Sequence, residues 1–91
     1  MTRTARLPAP TTLDQVELNA PCVVAGVHVG NGPAEWLRWL EDIGFVPGEQ
    51  VMVARRALMG GDPLVVRVGQ STFALRRAEA ACIQVERPAA A

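Results

Sequence analysis

Leu64-Val65-Val66-Arg67-Val68-Gly69-Gln70-Ser71-Thr72-Phe73-Ala74-Leu75 reads as two short strands joined by a tight turn, a β-hairpin. Leu64, Val66 and Val68 recur at the two-residue period of a half-buried strand, Gly69-Gln70 offers a two-residue turn, and Ser71–Leu75 makes the return strand. Upstream, Val51 and Val53 alternate with Gln50, Met52 and Ala54 after a Pro47-Gly48 turn, which predicts another strand, and Met59-Gly60-Gly61-Asp62-Pro63 reads as a loop. Downstream, Arg76 to Ala81 suits one helical turn and Ile83 with Val85 a last strand. On the far side of Pro47, Pro33 opens the one clear helix, in which Trp36, Leu37, Trp39, Leu40 and Ile43 recur at helical spacing up to Gly44. Trp36, Leu40 and Ile43 share its inner stripe, Leu37 and Trp39 fall on opposite edges, and Gly44 is placed to end the helix with positive φ.

Cys22 to Val29 is rich in β-branched residues and predicts the first strand, closed by a Gly30-Asn31-Gly32 turn. Before it, Thr12 to Val16 reads as a short helical turn with Thr11 or Thr12 as N-cap, stopped by Asn19-Ala20-Pro21. Residues 1–11 and 88–91 show no periodicity and read as tails, leaving one domain over 12–87. Five short strands and one helix leave no room for parallel crossovers, so the expectation is a mainly β fold, a small antiparallel barrel with a helical insertion after its first strand, closed to remove exposed edges.

The 91 residues suffice for a single core, with little room for a deep pocket. Nine basic and nine acidic residues give zero formal charge, which argues against nucleic-acid binding. All nine bases are arginine. Residues 12–45 are acidic on balance and 49–80 basic, so the chain is dipolar. Cys22 and Cys82 lack C-x-x-C spacing and are expected to be reduced thiols of a cytoplasmic protein. No run approaches the roughly 18 apolar residues that span a bilayer, so a membrane would be met only through a partner. One histidine, no tyrosine and no G-x-x-x-x-G-K-[ST] loop leave no visible enzyme machinery.

Leu40-Glu41-Asp42-Ile43-Gly44-Phe45-Val46-Pro47-Gly48, and Gly61-Asp62-Pro63-Leu64-Val65-Val66-Arg67-Val68 continuing through Ala74 to Ala80 and Ile83-Gln84-Val85, resemble the ferrous iron transport protein A family, the FeoA-like domain. The resemblance runs from about Thr12 to Glu86; Asn19-Ala20-Pro21 stands where a Pro-Gly turn is usual in that family. It implies an SH3-like barrel and a cytoplasmic accessory or regulatory protein of ferrous iron uptake. It also implies protein–protein interaction with the cytoplasmic part of the GTPase-bearing transporter, ferrous iron transport protein B. Two other readings stand beside it. A small metal-binding protein or metallochaperone needs a ligand set, and an iron-responsive regulator component needs a helix-turn-helix, for which residues 1–11 are too few and too rich in proline.

Candidate residues follow from residue chemistry. His28 and Cys22 are suitable divalent-metal ligands whose even separation on one expected strand puts them on one face. They mark at most a weak metal site, since no compact ligand set accompanies them, and no cofactor is expected. Trp39, at the edge of the inner stripe and flanked by Glu35, Arg38 and Asp42, is expected to be only partly covered. Interface hot spots are enriched in tryptophan and arginine, so Trp39 and Arg38 are the candidate contacts with the transporter or with a second copy in a homodimer. Arg76 and Glu79 are i, i+3 neighbours able to pair, and Arg55 and Arg56 point to opposite faces; arginines gathered into one patch would suit an acidic partner surface or anionic headgroups.

Overall fold

The computed structural model describes residues 11–57 and 62–87. Its strands are β1 (Thr11–Thr12), β2 (Cys22–Val27), β3 (Gln50–Arg56), β4 (Leu64–Val68), β5 (Ser71–Leu75) and β6 (Ile83–Glu86), with helices α1 (Glu35–Asp42) and α2 (Arg77–Ala80) and a 3-10 turn at Leu13–Gln15. The expected hairpin is there, Val68 opposite Ser71 and Leu64 opposite Leu75. Gly69 has a φ of 59°, at the turn position that type II′ geometry reserves for glycine. The expected tails at 1–10 and 88–91, and the Met59 to Gly61 part of the expected loop, lie outside the described residues.

The sheet has six strands in the order β1-β6-β2-β3-β4-β5, every neighbouring pair antiparallel. The sheet departs from the expected five-stranded closed barrel in two ways. Thr11 belongs to a strand, because Thr11 and Thr12 pair with Val85 and Gln84 and so add a sixth, two-residue strand. The sheet is not closed, since β1 and β5 end the order without pairing to each other. Between these edges lie the 3-10 turn and α2, which touch one another, and α2 also packs on β5. Leu13 from the turn and Ala80 from α2 are fully buried there, so side chains fill the gap that backbone hydrogen bonds leave.

One apolar cluster forms the core, drawing Val24 from β2, Val51 and Val53 from β3, Leu64, Val66 and Val68 from β4, Leu75 from β5, Ile83 and Val85 from β6, and Leu40 and Phe45 from α1 and its exit. Trp36 and Ile43 pack against it half-buried, as the predicted inner stripe requires. The helix starts at Glu35, two residues later than Pro33; the Pro33 carbonyl accepts the Trp36 N–H (3.0 Å) in the turn before it.

The end of α1 satisfies two orphan carbonyls at once. The Gly44 N–H donates to the Glu41 carbonyl (3.1 Å) and the Phe45 N–H to the Leu40 carbonyl (3.0 Å), the paired bonds of a Schellman motif, with Gly44 at a φ of 123°. The motif's apolar contact is the pair Leu40 and Phe45, both fully buried. Asn19 meets a similar need with a φ of 63°; its N–H donates to the Val53 carbonyl (2.7 Å), continuing the edge of β3 past its short pairing with β2. Asparagine tolerates that left-handed conformation better than most residues, which accounts for a turn made without Pro-Gly.

Arg55 and Arg56 divide as expected: Arg55 is exposed, while Arg56 reaches back to donate to the carbonyls of Val16 (2.6 Å) and Asp14 (3.2 Å). Those acceptors lie at the end of the 3-10 turn, so one guanidinium ties β3 to the plug of the sheet. The expected Arg76–Glu79 pair takes another form, in which the Glu79 carboxylate accepts the Arg76 backbone N–H (2.7 Å). Asp62 likewise accepts the Arg77 N–H (2.7 Å), so carboxylates satisfy two of the donors at the start of α2.

Two predictions follow from these ties. Gly44→Val forces a β-branched residue into a positive-φ site and is expected to cost about 1–2 kcal/mol or more, lowering the thermal midpoint by several degrees. An unchanged midpoint by circular dichroism contradicts the helix end described. Arg56→Ala is expected to cost about 1–2 kcal/mol through its lost charged hydrogen bonds, and Arg55→Ala less than about 0.5. Urea unfolding checks this, and equal losses at the two positions contradict the assignment.

Candidate interaction surface

Leu40 anchors α1 to the core while Leu37 and Trp39 face outward, each 40% exposed. Among the described residues the large apolar side chains left exposed are Leu18, Leu37, Trp39 and Val46, and three of these four fall within residues 37–46. The segment is not loosely held, since Phe45, between Gly44 and Val46, is fully buried. Around the apolar side chains stand Glu35, Arg38, Glu41 and Asp42, all exposed. The two candidate contacts, Trp39 and Arg38, are therefore neighbours on one presented helix. Leu37 and Val46 belong to the same presented segment; Leu37 was legible as a stripe edge, whereas Val46 was hidden by its place in a turn.

His28 and Cys22 are not brought together. Val24 pairs with Val85, Gly26 with Gln84 and Val27 with Ile83, so Ala25 is an extra residue in β2 that opposes nothing. Such a bulge inverts the alternation of faces beyond it. Cys22 and Val24 are buried, but past the bulge Val27 is the residue packed against the core, and His28 is exposed. The His28 backbone N–H donates to the Cys82 carbonyl (2.8 Å). Among the described residues no group of three or more His, Cys, Asp or Glu side chains is placed to hold a metal ion.

Both cysteines are free and buried in the core cluster, their thiols directed at the carbonyls of Ala20 (3.4 Å) and Ala78 (3.5 Å). Burial raises both thiol pKa values; Arg87 partly offsets this at Cys22, whereas Glu79 and Asp14 add to it at Cys82. The neutral thiol is thus the form the fold favours. A raised folded value contributes stability that is fully present below the unfolded thiol pKa of about 8.5 and is lost as pH rises through the folded values.

Two shallow grooves flank Pro21-Cys22, of about 250 Å³ and about 240 Å³. The first is bordered by Gln50, Met52, Arg67 and Gly69, the second by Gln15, Glu17, Glu86 and Arg87. Neither gathers a nucleophile and a base with perturbed pKa of the kind that marks catalysis. Among the described residues, no helix is long and apolar enough to cross a membrane.

An open six-stranded antiparallel sheet, plugged by a 3-10 turn and a short helix and carrying an exposed helical insertion, defines a small β domain that offers surfaces more than cavities. The FeoA domain model matches residues 11–87, and the chain belongs to the FeoA family, which is associated with ferrous iron transport. FeoA of Stenotrophomonas maltophilia, solved with zinc and described as an SH3 domain protein, is 37% identical, with 82% of this chain and 88% of that one covered and a TM-score of 0.74. A FeoA-like protein from Clostridium acetobutylicum is 28% identical over 93% of this chain and 94% of that one, with a TM-score of 0.75. A manganese-dependent transcriptional repressor, 21% identical over 90% of this chain and 44% of that one with a TM-score of 0.73, shares the fold. No curated protein matches by sequence.

The cysteine chemistry gives a prediction. At pH 8 the native protein is expected to react with iodoacetamide at least tenfold more slowly than the urea-unfolded chain, because the thiols are buried and protonated. Mass spectrometry of quenched time points checks this, and equal rates contradict it.

Proposed function

We propose that this domain is a cytoplasmic accessory protein of ferrous iron uptake that catalyses no reaction itself. It acts by binding the cytoplasmic part of the GTPase-bearing membrane transporter, ferrous iron transport protein B. Family membership supports the setting, and the Stenotrophomonas protein has itself been put forward as a ferrous iron transport activating factor. The observation that carries the mode of action is the exposed apolar segment of residues 37–46, mounted on the buried pair Leu40 and Phe45. Leaving a tryptophan 40% exposed on a firmly held helix retains apolar area that a partner would remove from water, at about 25 cal/mol per Å². In this reading Trp39 is the anchor, Arg38 supplies a neighbouring charged hydrogen bond, and Glu35, Glu41 and Asp42 form the polar rim.

The test is Trp39→Ala, assayed for thermal stability and for binding to the purified cytoplasmic domain of the transporter by calorimetry. The expected result is a midpoint within about 3 °C of the parent, as for a surface position, and affinity reduced at least tenfold, as for a hot spot. Lost stability with binding kept in proportion to folded protein makes Trp39 a packing residue and contradicts the proposal. If the variant instead loses a homodimer and keeps its transporter affinity, the same surface serves a second copy and the transporter reading fails.

A further inference from the structure

The outer face of β3, β4 and β5 collects arginines without collecting carboxylates. Two cross-strand rows define that face. In one, Met52 lies opposite Arg67 and Arg67 opposite Thr72; in the other, Arg55 lies opposite Val65 and Val65 opposite Ala74. Arg55 and Arg67 are therefore diagonal neighbours on adjacent strands, roughly 7–8 Å apart at the backbone. Arg76 has extended geometry (φ −73°, ψ 154°) and continues the alternation one residue past β5, onto the same side. The side chains of all three are exposed, and among the described residues none has a carboxylate partner. The positions named on these rows include no acidic residue; Glu49 lies against the Gly69 turn and accepts the Gln50 N–H (3.2 Å), and the Glu79 carboxylate is taken up by the Arg76 backbone N–H (2.7 Å).

Like charges at neighbouring sheet positions oppose folding by a few tenths of a kcal/mol unless something compensates them. Beside Arg67 the face becomes concave, forming the groove of about 250 Å³ whose border is Pro21, Cys22, Gln50, Val51, Met52 and Gly69. One cation and no anion line it, together with the apolar residues Pro21 and Met52. The groove across Pro21 differs, because two carboxylates, Glu17 and Glu86, line it beside one cation, Arg87.

We infer that this groove and the Arg55–Arg67–Arg76 face form a second docking surface, distinct from α1, for an extended acidic segment of a partner protein. A carboxylate is set on Arg67 and an adjoining apolar side chain against Met52 and Pro21. Charge complementarity selects the acidic residue and the concave apolar border selects a peptide over a flat anionic bilayer. This inference does not rest on Trp39 or on the identity of the transporter.

The probe is acetyl-Leu-Glu-Leu-Glu-Leu-amide, compared with its Gln counterpart, titrated into the ¹⁵N-labelled full chain. The expected result is saturable shifts at the amides of Met52, Arg67 and Thr72 with the Glu peptide. Affinity should be about fivefold weaker for the Gln peptide and for Arg67→Gln, the size of one exposed ion pair, and unchanged in Arg38→Gln. Thermal midpoints confirm that both variants are folded. Equal shifts from the two peptides, or affinity unaltered by Arg67→Gln, overturn the inference. Binding only to vesicles containing phosphatidylglycerol, with no peptide response, overturns it as well and assigns the face to lipid.

Discussion

A helix inserted between two strands of a small sheet must reverse direction within a few residues and still reach the core. Gly44 at positive φ makes the reversal, the bonds from Gly44 and Phe45 to Glu41 and Leu40 satisfy carbonyls that would otherwise be orphaned, and Phe45 falls fully into the apolar cluster. Full burial of one such side chain stabilises by about 1.5–3 kcal/mol, a sizeable share of what a domain this small holds. From Phe45 the chain returns along β2, with the Gly48 N–H on the Val24 carbonyl (2.9 Å) and the Val24 N–H on the Glu49 carbonyl (2.9 Å), and so enters β3 in register.

Mounting the helix in this way has a functional consequence. With Leu40 and Phe45 holding the inner stripe, Leu37 and Trp39 fall on its two edges, beyond the reach of the core, and both stay on the surface. The open sheet has a parallel effect between its two edges. Because β1 and β5 do not pair, Leu13 and Ala80 complete the core there, and the half-buried Arg56 guanidinium ties β3 to the turn. Arg56 is thereby committed to structure, while Arg55, one residue away, stays free on the outer face.

Much of the fold was legible in the sequence for a physical reason: alternation and helical spacing are local, and the core obeyed them. The hairpin at Gly69, the inner stripe of Trp36, Leu40 and Ile43, and the helix end at Gly44 can all be read from a few neighbouring residues. What failed to show depends on counting residues against a distant partner. The bulge at Ala25 exists only relative to Val85 and Gln84, and it undid the shared face assigned to Cys22 and His28. The open edge between β1 and β5 is likewise a property of the whole sheet. The reach of Arg56 to Val16, across 40 positions of chain, carries no local signature. Of the candidate surface, the exposed edge at Trp39 was legible from periodicity, whereas the arginine face became visible only with the registers of β3, β4 and β5.

The helical insertion is locked to the core through its C-terminal end and so presents a preformed surface. Native-state hydrogen exchange at the Phe45 amide tests it most directly, since that N–H is held by the Leu40 carbonyl in the middle of the lock. The Phe45 amide is expected to exchange only through global unfolding, with the same opening free energy as the amides of Val53 and Val66 in the central strands. Exchange of Phe45 through a local opening, faster than those strand amides by two orders of magnitude or more, would contradict it.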